Sequence, residues 1–142
     1  MEKAFWDTSS LVPLCVQQPA SLAVQELTAR YQVVAWWATT VEMRSAFARL
    51  LRMGQLTADE YSSALMVLGI LRRTWREIQP SYQLREQAEV FVDRFQLRAT
   101  DALQLAAAGA WCMGRPNGRV FISGDLPLLE AARQFGFECI AG

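Results

Sequence analysis

The sequence predicts an α/β domain: a mostly parallel sheet of four to five strands with helices packed on both of its faces. Three observations carry this. Short runs of β-branched and aromatic residues alternate with longer stretches of helical periodicity along the whole chain, which is the pattern of parallel strands joined by crossover helices. Stop and start signals fall between these runs, at Gly54, at Thr57-Ala58-Asp59-Glu60 and at Gly114-Arg115-Pro116-Asn117-Gly118. The length of 142 residues is that of one ordinary domain, and an apolar fraction of 52% is enough for one substantial core. Residues 1–142 are therefore read as a single domain.

The first strand is the apolar run Lys3-Ala4-Phe5-Trp6, ending at Asp7. The hydroxyls of Thr8, Ser9 and Ser10 follow as candidate helix caps ahead of Leu11-Val12-Pro13-Leu14. A helix is expected from about Ser21 to Arg30, with Leu22, Val24 and Leu27 as its apolar positions. Val33-Val34-Ala35-Trp36-Trp37 reads as a second buried strand. Adjacent strand residues face opposite layers, so Trp36 and Trp37 are each expected to pack under a helix rather than to stack on bases. Thr39 and Thr40 are candidate caps of a helix reaching about Met53. The next helix opens at the Thr57–Glu60 capping box and runs to about Arg76. Arg72, Arg73, Trp75 and Arg76 are read as its solvated end, where arginines suit the helix dipole, ahead of the alternative that this basic and aromatic run contacts a nucleic acid or an acidic protein segment. Ile78 marks a short strand; helices are expected over about 82–95 and 100–113. Arg119 to Ser123 is a strand, Leu126 to Phe135 a helix, and Phe137 to Ile140 a last strand.

Composition excludes much chemistry. The chain has no histidine and only three widely separated cysteines, Cys15, Cys112 and Cys139, in apolar neighbourhoods. No histidine general base, Ser-His-Asp triad, Cys-His pair or ordinary zinc site can be built, and the cysteines read as buried free thiols of a reducing cytosol. The opening residues do not read as a signal peptide, because Asp7 breaks the apolar run. The longest later apolar stretch, Ala64 to Leu71, falls far short of the roughly 20 residues of a membrane span, so a cytoplasmic protein is expected. Fourteen basic and fourteen acidic residues give zero formal charge, so any nucleic-acid binding needs local positive charge or a bound cation. Lys3 is the only lysine among thirteen arginines.

Four carboxylates stand out. Asp7 follows the first strand directly and Asp125 follows the fourth, one residue past Gly124, so both lie at the carboxyl edge of the sheet, where ligands of such sheets bind. Taken singly, each also reads as a solvated or helix-capping aspartate. Glu42 and Asp101 open helices on apolar faces, Glu42 beside Ala46 and Leu50 with Arg44 and Arg52 pointing elsewhere, Asp101 beside Leu105, Ala108 and Cys112. Singly, each is also explained by the helix dipole. Together, four acids on one edge repel one another and raise one another's pKa unless a hard divalent cation intervenes, which oxygen ligands of this kind suit.

At these positions the sequence resembles the PIN-domain family, and within it the VapC-like toxins of bacterial toxin–antitoxin pairs. Four blocks carry the resemblance, in order over the whole chain: Phe5-Trp6-Asp7-Thr8-Ser9-Ser10-Leu11-Val12, then Thr40-Val41-Glu42-Met43-Arg44-Ser45-Ala46, then Leu97-Arg98-Ala99-Thr100-Asp101-Ala102-Leu103-Gln104, and Phe121-Ile122-Ser123-Gly124-Asp125. The resemblance implies a three-layer α/β/α sandwich and a metal-dependent endoribonuclease using Mg²⁺ or Mn²⁺. It implies Asp7 and Asp101 as main metal ligands, Glu42 completing the pocket, and Asp125 ligating directly or through water. Ser9 and Ser123 would hold those carboxylates. A homodimer, a cognate antitoxin and an RNA substrate are implied as partners, with Arg44 and Arg98 as candidate RNA contacts, read equally well as surface arginines. Two departures stand out: Gln104 where a histidine is frequent, and Pro13 where a lysine near the pocket mouth is frequent.

Rival readings are weaker or differ in setting. A phosphoacceptor receiver would need a lysine near the last strand and two adjacent acids after the first, and nucleotide-binding folds would need GxxxxGK or GxGxxG, none of which is present. A non-catalytic RNA or protein interaction module, and an RNA-processing nuclease without an antitoxin, remain as alternatives.

Overall fold

The computed structural model describes all 142 residues. Its frame is one five-stranded, wholly parallel sheet: β1 (Glu2–Trp6), β2 (Tyr31–Trp36), β3 (Arg76–Ile78), β4 (Val120–Ser123) and β5 (Glu138–Ala141), in the order β3-β2-β1-β4-β5. Seven helices connect them: α1 (Thr8–Cys15), α2 (Ser21–Thr28), α3 (Thr39–Arg52), α4 (Ala58–Thr74), α5 (Tyr82–Phe95), α6 (Ala99–Trp111) and α7 (Leu126–Phe135).

The alternation of strand side chains sorts the core into two layers. Phe5, Val34, Trp36 and Phe121 point into a cluster closed by α5, α6 and α7. Ala4, Trp6, Ala35, Val120 and Ile122 point the other way, into a cluster closed by α1 to α4. The result is a three-layer α/β/α sandwich. The alanine-rich α6 lets its backbone approach the sheet closely, because Ala102, Ala106, Ala107 and Ala108 are all buried. Phe5 stacks on Phe121 across the central strand pair with ring centroids 5.5 Å apart, which pins β1 to β4.

The connectivity positions the site. From β1 the chain passes through α1 and α2 on one face; from β4 it passes through α7 on the opposite face. Neighbouring strands whose continuations diverge to opposite layers leave a crevice at their carboxyl ends. Here that crevice lies between β1 and β4, and the register pairing Trp6 with Ile122 puts Asp7 at its edge. The Asp7 amide donates to the Ile122 carbonyl at 3.1 Å, so the pairing continues to the acid itself.

Several boundaries differ from expectation. β2 ends at Trp36, and Trp37 sits in the following turn, 51% exposed, rather than under a helix. Leaving the pleat removes the alternation that would have buried it. α4 stops at Thr74: Trp75 turns inward and is buried, while Arg76 begins β3 beside Val34. Arg72 and Arg73 are solvated as expected. Neither hydroxyl set caps its helix. The cap positions of α1 and α3 are Asp7 and Ala38, without side-chain cap bonds, whereas Thr57 does form the capping box of α4 with Glu60. The three cysteines are free, Cys112 buried and the others half-buried, and burial pushes the Cys15 thiol up to about 12.

Candidate active site

An open cleft of about 730 Å³ lies over the β1–β4 crevice, and Asp7, Glu42, Asp101 and Asp125 all line it. Asp7 is nearly fully buried at the end of β1. The Ser9 hydroxyl donates to its Oδ1 at 2.8 Å and accepts from the Gly124 amide at 2.8 Å, tying the loops after β1 and β4 together. The Ser123 hydroxyl accepts from the Asp125 amide at 2.9 Å. The hydroxyls expected to cap α1 are thus spent on the site: besides Ser9, Ser10 donates to the Asp7 carbonyl, and Thr8 donates to Glu42 Oε1 at 2.7 Å. Gly124 is needed here, since a Cβ would come within 2.6 Å of the Gly142 carbonyl oxygen.

Glu42 leaves the first turn of α3 and is gripped through one oxygen only. Thr8 Oγ1 and Gln104 Nε2 both donate to Oε1, the latter at 3.1 Å, leaving Oε2 without a protein partner. Gln104 is buried and also reaches Thr39 Oγ1 at 3.2 Å, while its own carbonyl oxygen has no partner. The position of departure therefore carries a neutral donor that orients Glu42. Pro13, the other departure, is buried within α1 and does not line the cleft.

Asp101 projects from the first turn of α6 with its side chain 17% exposed. Arg98, 83% exposed, approaches its Oδ2 with Nε at 3.8 Å, a loose pair of the kind that contributes little. Asp125 is half-buried and caps α7, its Oδ1 accepting from the Leu128 amide at 3.1 Å. The capping reading of this residue and its place in the cleft hold together. Of the two arginines named from sequence, Arg98 lines the cleft and Arg44 does not. The cleft instead contains Arg49, which sequence reasoning passed over, and Arg52, which it turned away from Glu42; ten residues is close enough to a whole number of turns to keep Arg52 on the cleft side. Both share the face of Glu42, seven and ten residues on, a helical periodicity that could have found them.

The electrostatics are those of buried acids, with a smaller contribution from one another. Burial pushes the Asp7 carboxyl up to about 7 from an ordinary 3.8; the Ser9 and Ser123 hydroxyls oppose this and the Asp125 charge adds to it. Asp101 is raised by burial, then by Asp125, against the opposing pull of Arg98, with Glu42 adding to the rise. The donor set, all carboxylate oxygen with no nitrogen or sulfur, fits a hard divalent cation. No three of the acids stand close enough together to hold one ion between them as a closed cage of protein ligands. Mg²⁺ does not require one, because it keeps several waters and is commonly held by one or two carboxylates and a substrate phosphate.

Solved structures share this architecture. VapC20 of Mycobacterium tuberculosis, described as a sarcin-ricin loop cleaving toxin, superposes with a TM-score of 0.69 at 17% identity, over 91% of this chain and 95% of its own. The fold is that of the PIN domain. A toxin–antitoxin complex from Klebsiella pneumoniae shares the PIN fold with a TM-score of 0.62 at 21% identity, over 87% of each chain. FitAcB from Neisseria gonorrhoeae gives 0.64 at 15% identity over 96% of each chain. No family model and no curated protein sequence matches the chain.

Proposed function

We propose that this PIN-fold chain is a metal-dependent endoribonuclease that hydrolyses RNA phosphodiester bonds, and that it is the toxin of a toxin–antitoxin pair. The observation that carries the reading is the gathering of four acids, remote in sequence, on one cleft at the β1–β4 crevice, with the buried one pushed up to about 7. Groups so arranged are costly unless something of opposite charge completes them.

Asp7 and Asp101 would hold Mg²⁺ or Mn²⁺, with Glu42 and Asp125 joining directly or through water. Such an ion, when bound, polarises a phosphate and lowers the pKa of a coordinated water. The chain's own residues orient and exclude. Ser9 fixes the rotamer of Asp7, and Thr8 with Gln104 fixes Glu42 so that Oε2 is the oxygen available to orient a water and accept its proton. Arg98 is placed to contact the RNA backbone; Arg44 is not offered for that role, being outside the cleft.

The toxin setting is supported by the neighbours described as a toxin–antitoxin complex and as FitAB bound to a DNA fragment. A cognate antitoxin, a homodimer, a cytoplasmic location and a single domain over residues 1–142 complete the proposal. No helix is long and apolar enough to cross a membrane. A small DNA-binding protein encoded next door, and the mass of the purified chain by light scattering, test the partner claims. The chemistry is tested by Asp101→Asn. Cleavage of single-stranded RNA in Mg²⁺ or Mn²⁺ is expected to fall by more than the roughly 10–100-fold typical of residues that only support a metal ligand. Wild-type protein that binds RNA but cleaves none, with Asp101→Asn behaving identically, would make the chain an interaction module.

A further inference from the structure

We propose that Arg49 and Arg52 form a phosphate-tracking wall that seats single-stranded RNA on one side of the cut, an inference that rests on the nuclease reading above. Glu42, Ser45, Arg49 and Arg52 all line the cleft from α3, at spacings of three, four and three residues, so they form one stripe along the helix. The stripe begins acidic and ends basic. Both arginines are exposed and neither is ion-paired, the chain's only ion pairs being Arg98 with Asp101 and Glu130 with Arg133. A cleft whose acids gather at one end and whose unengaged guanidinium groups gather at the other fits a polymer with regularly repeated negative charge.

The geometry sets a length scale. At 1.5 Å per residue, Arg49 lies about 10 Å and Arg52 about 15 Å along the axis from Glu42. At the roughly 3.4 Å per nucleotide of a stacked strand, these distances reach phosphates about three and four nucleotides from the acids, fewer if the strand is extended. Guanidinium is the side chain best matched to a phosphate's paired oxygens. Ala46 and Leu50, both half-buried, also line the cleft. They offer apolar surface to bases, which only an unpaired strand can present. This favours RNA over an acidic protein segment, which shares the charge but has no bases.

The test uses Asp101→Asn protein throughout, so that the probe stays intact. Binding of single-stranded RNAs of two and ten nucleotides is measured by fluorescence anisotropy across a salt series. The wall requires Arg49→Gln with Arg52→Gln to weaken the ten-nucleotide RNA by at least about tenfold. It also requires the log–log salt slope to shrink by about 1.4, at roughly 0.7 per phosphate contact on a single strand. Binding of the dinucleotide should not change, and Arg49→Lys with Arg52→Lys should keep the slope. Unaltered slope and affinity for the long RNA overturn the wall, and matched melting curves show that the variants fold. Loss of binding to poly-glutamate with RNA binding intact also overturns it, assigning the arginines to a protein partner. The two readings fail separately: a wild-type chain that shows the slope but never cleaves sinks the nuclease and leaves the wall standing.

Discussion

Asp7 shows most clearly what the site costs the metal-free chain. Its folded pKa of about 7 lies above the unfolded value near 3.8, so between those pH values the native state holds a proton that the unfolded state releases. Stability is then fully present below about pH 4 and is lost as pH rises towards 7. The displacement corresponds to about 4 kcal/mol. Urea midpoints of EDTA-treated protein are expected to fall over pH 4 to 7, more steeply than those of Asp7→Asn, and the variant is expected to be the more stable of the two at pH 7.5. Equal slopes would remove the argument that Asp7 is an uncompensated charge. Residues also mark where sequence reading stopped. That Asp7, Glu42, Asp101 and Asp125 share one edge is legible because two follow strands at the carboxyl edge of the sheet and two open helices on apolar faces, although each alone has an ordinary explanation as a solvated, capping or dipole-stabilised acid. Arg49 and Arg52 are not legible in the same way: neighbours one turn from Glu42 are apolar, which turns Arg52 away from the acid, and only the folded cleft shows both arginines lining it. Gln104 was noticed as a departure, but its grip on Glu42 depends on Thr8 and Thr39, which only the folded chain brings together.

Elements were read well where their ends are chemically marked. The capping box at Thr57 forms as expected, and Thr57→Ala should cost about 1 kcal/mol in the urea midpoint without changing RNA cleavage, because α4 packs behind the cleft rather than lining it. α5 and α7 carry the expected limits, each with a side-chain cap, from Ser81 and Asp125. The capping misreadings share a cause. Hydroxyls at Thr8, Ser9, Thr39 and Thr40 have the right chemistry for capping, yet at least three of them bond to the site instead. Sequence alone does not distinguish a hydroxyl that satisfies its own backbone from one that holds a carboxylate brought from elsewhere. Trp37 was misread because its burial turned on one residue of strand length.

At the scale of the whole molecule, the alternation of strands and helices was enough for a layered parallel sheet, while the strand order, and with it the crevice between β1 and β4, needed the structure. A cation bound in that crevice binds the folded chain alone. Thermal unfolding should therefore shift upward with Mg²⁺ or Mn²⁺, by about 2.7 kcal/mol at a hundredfold excess over the dissociation constant, and the shift should vanish with EDTA or with Asp7→Asn and Asp101→Asn combined. A melting temperature indifferent to divalent ions at pH 7.5 would count against the metal site itself.

The divergence of the chain at β1 and β4 has one more effect. Asp7 is continuous with the layer that begins at α1, and Asp125 with the layer that begins at α7, so the gap between the two acids is the place where both helical layers meet the sheet edge. The Ser9 hydroxyl, donating to Asp7 and accepting from the Gly124 amide, is the rivet that holds that gap fixed.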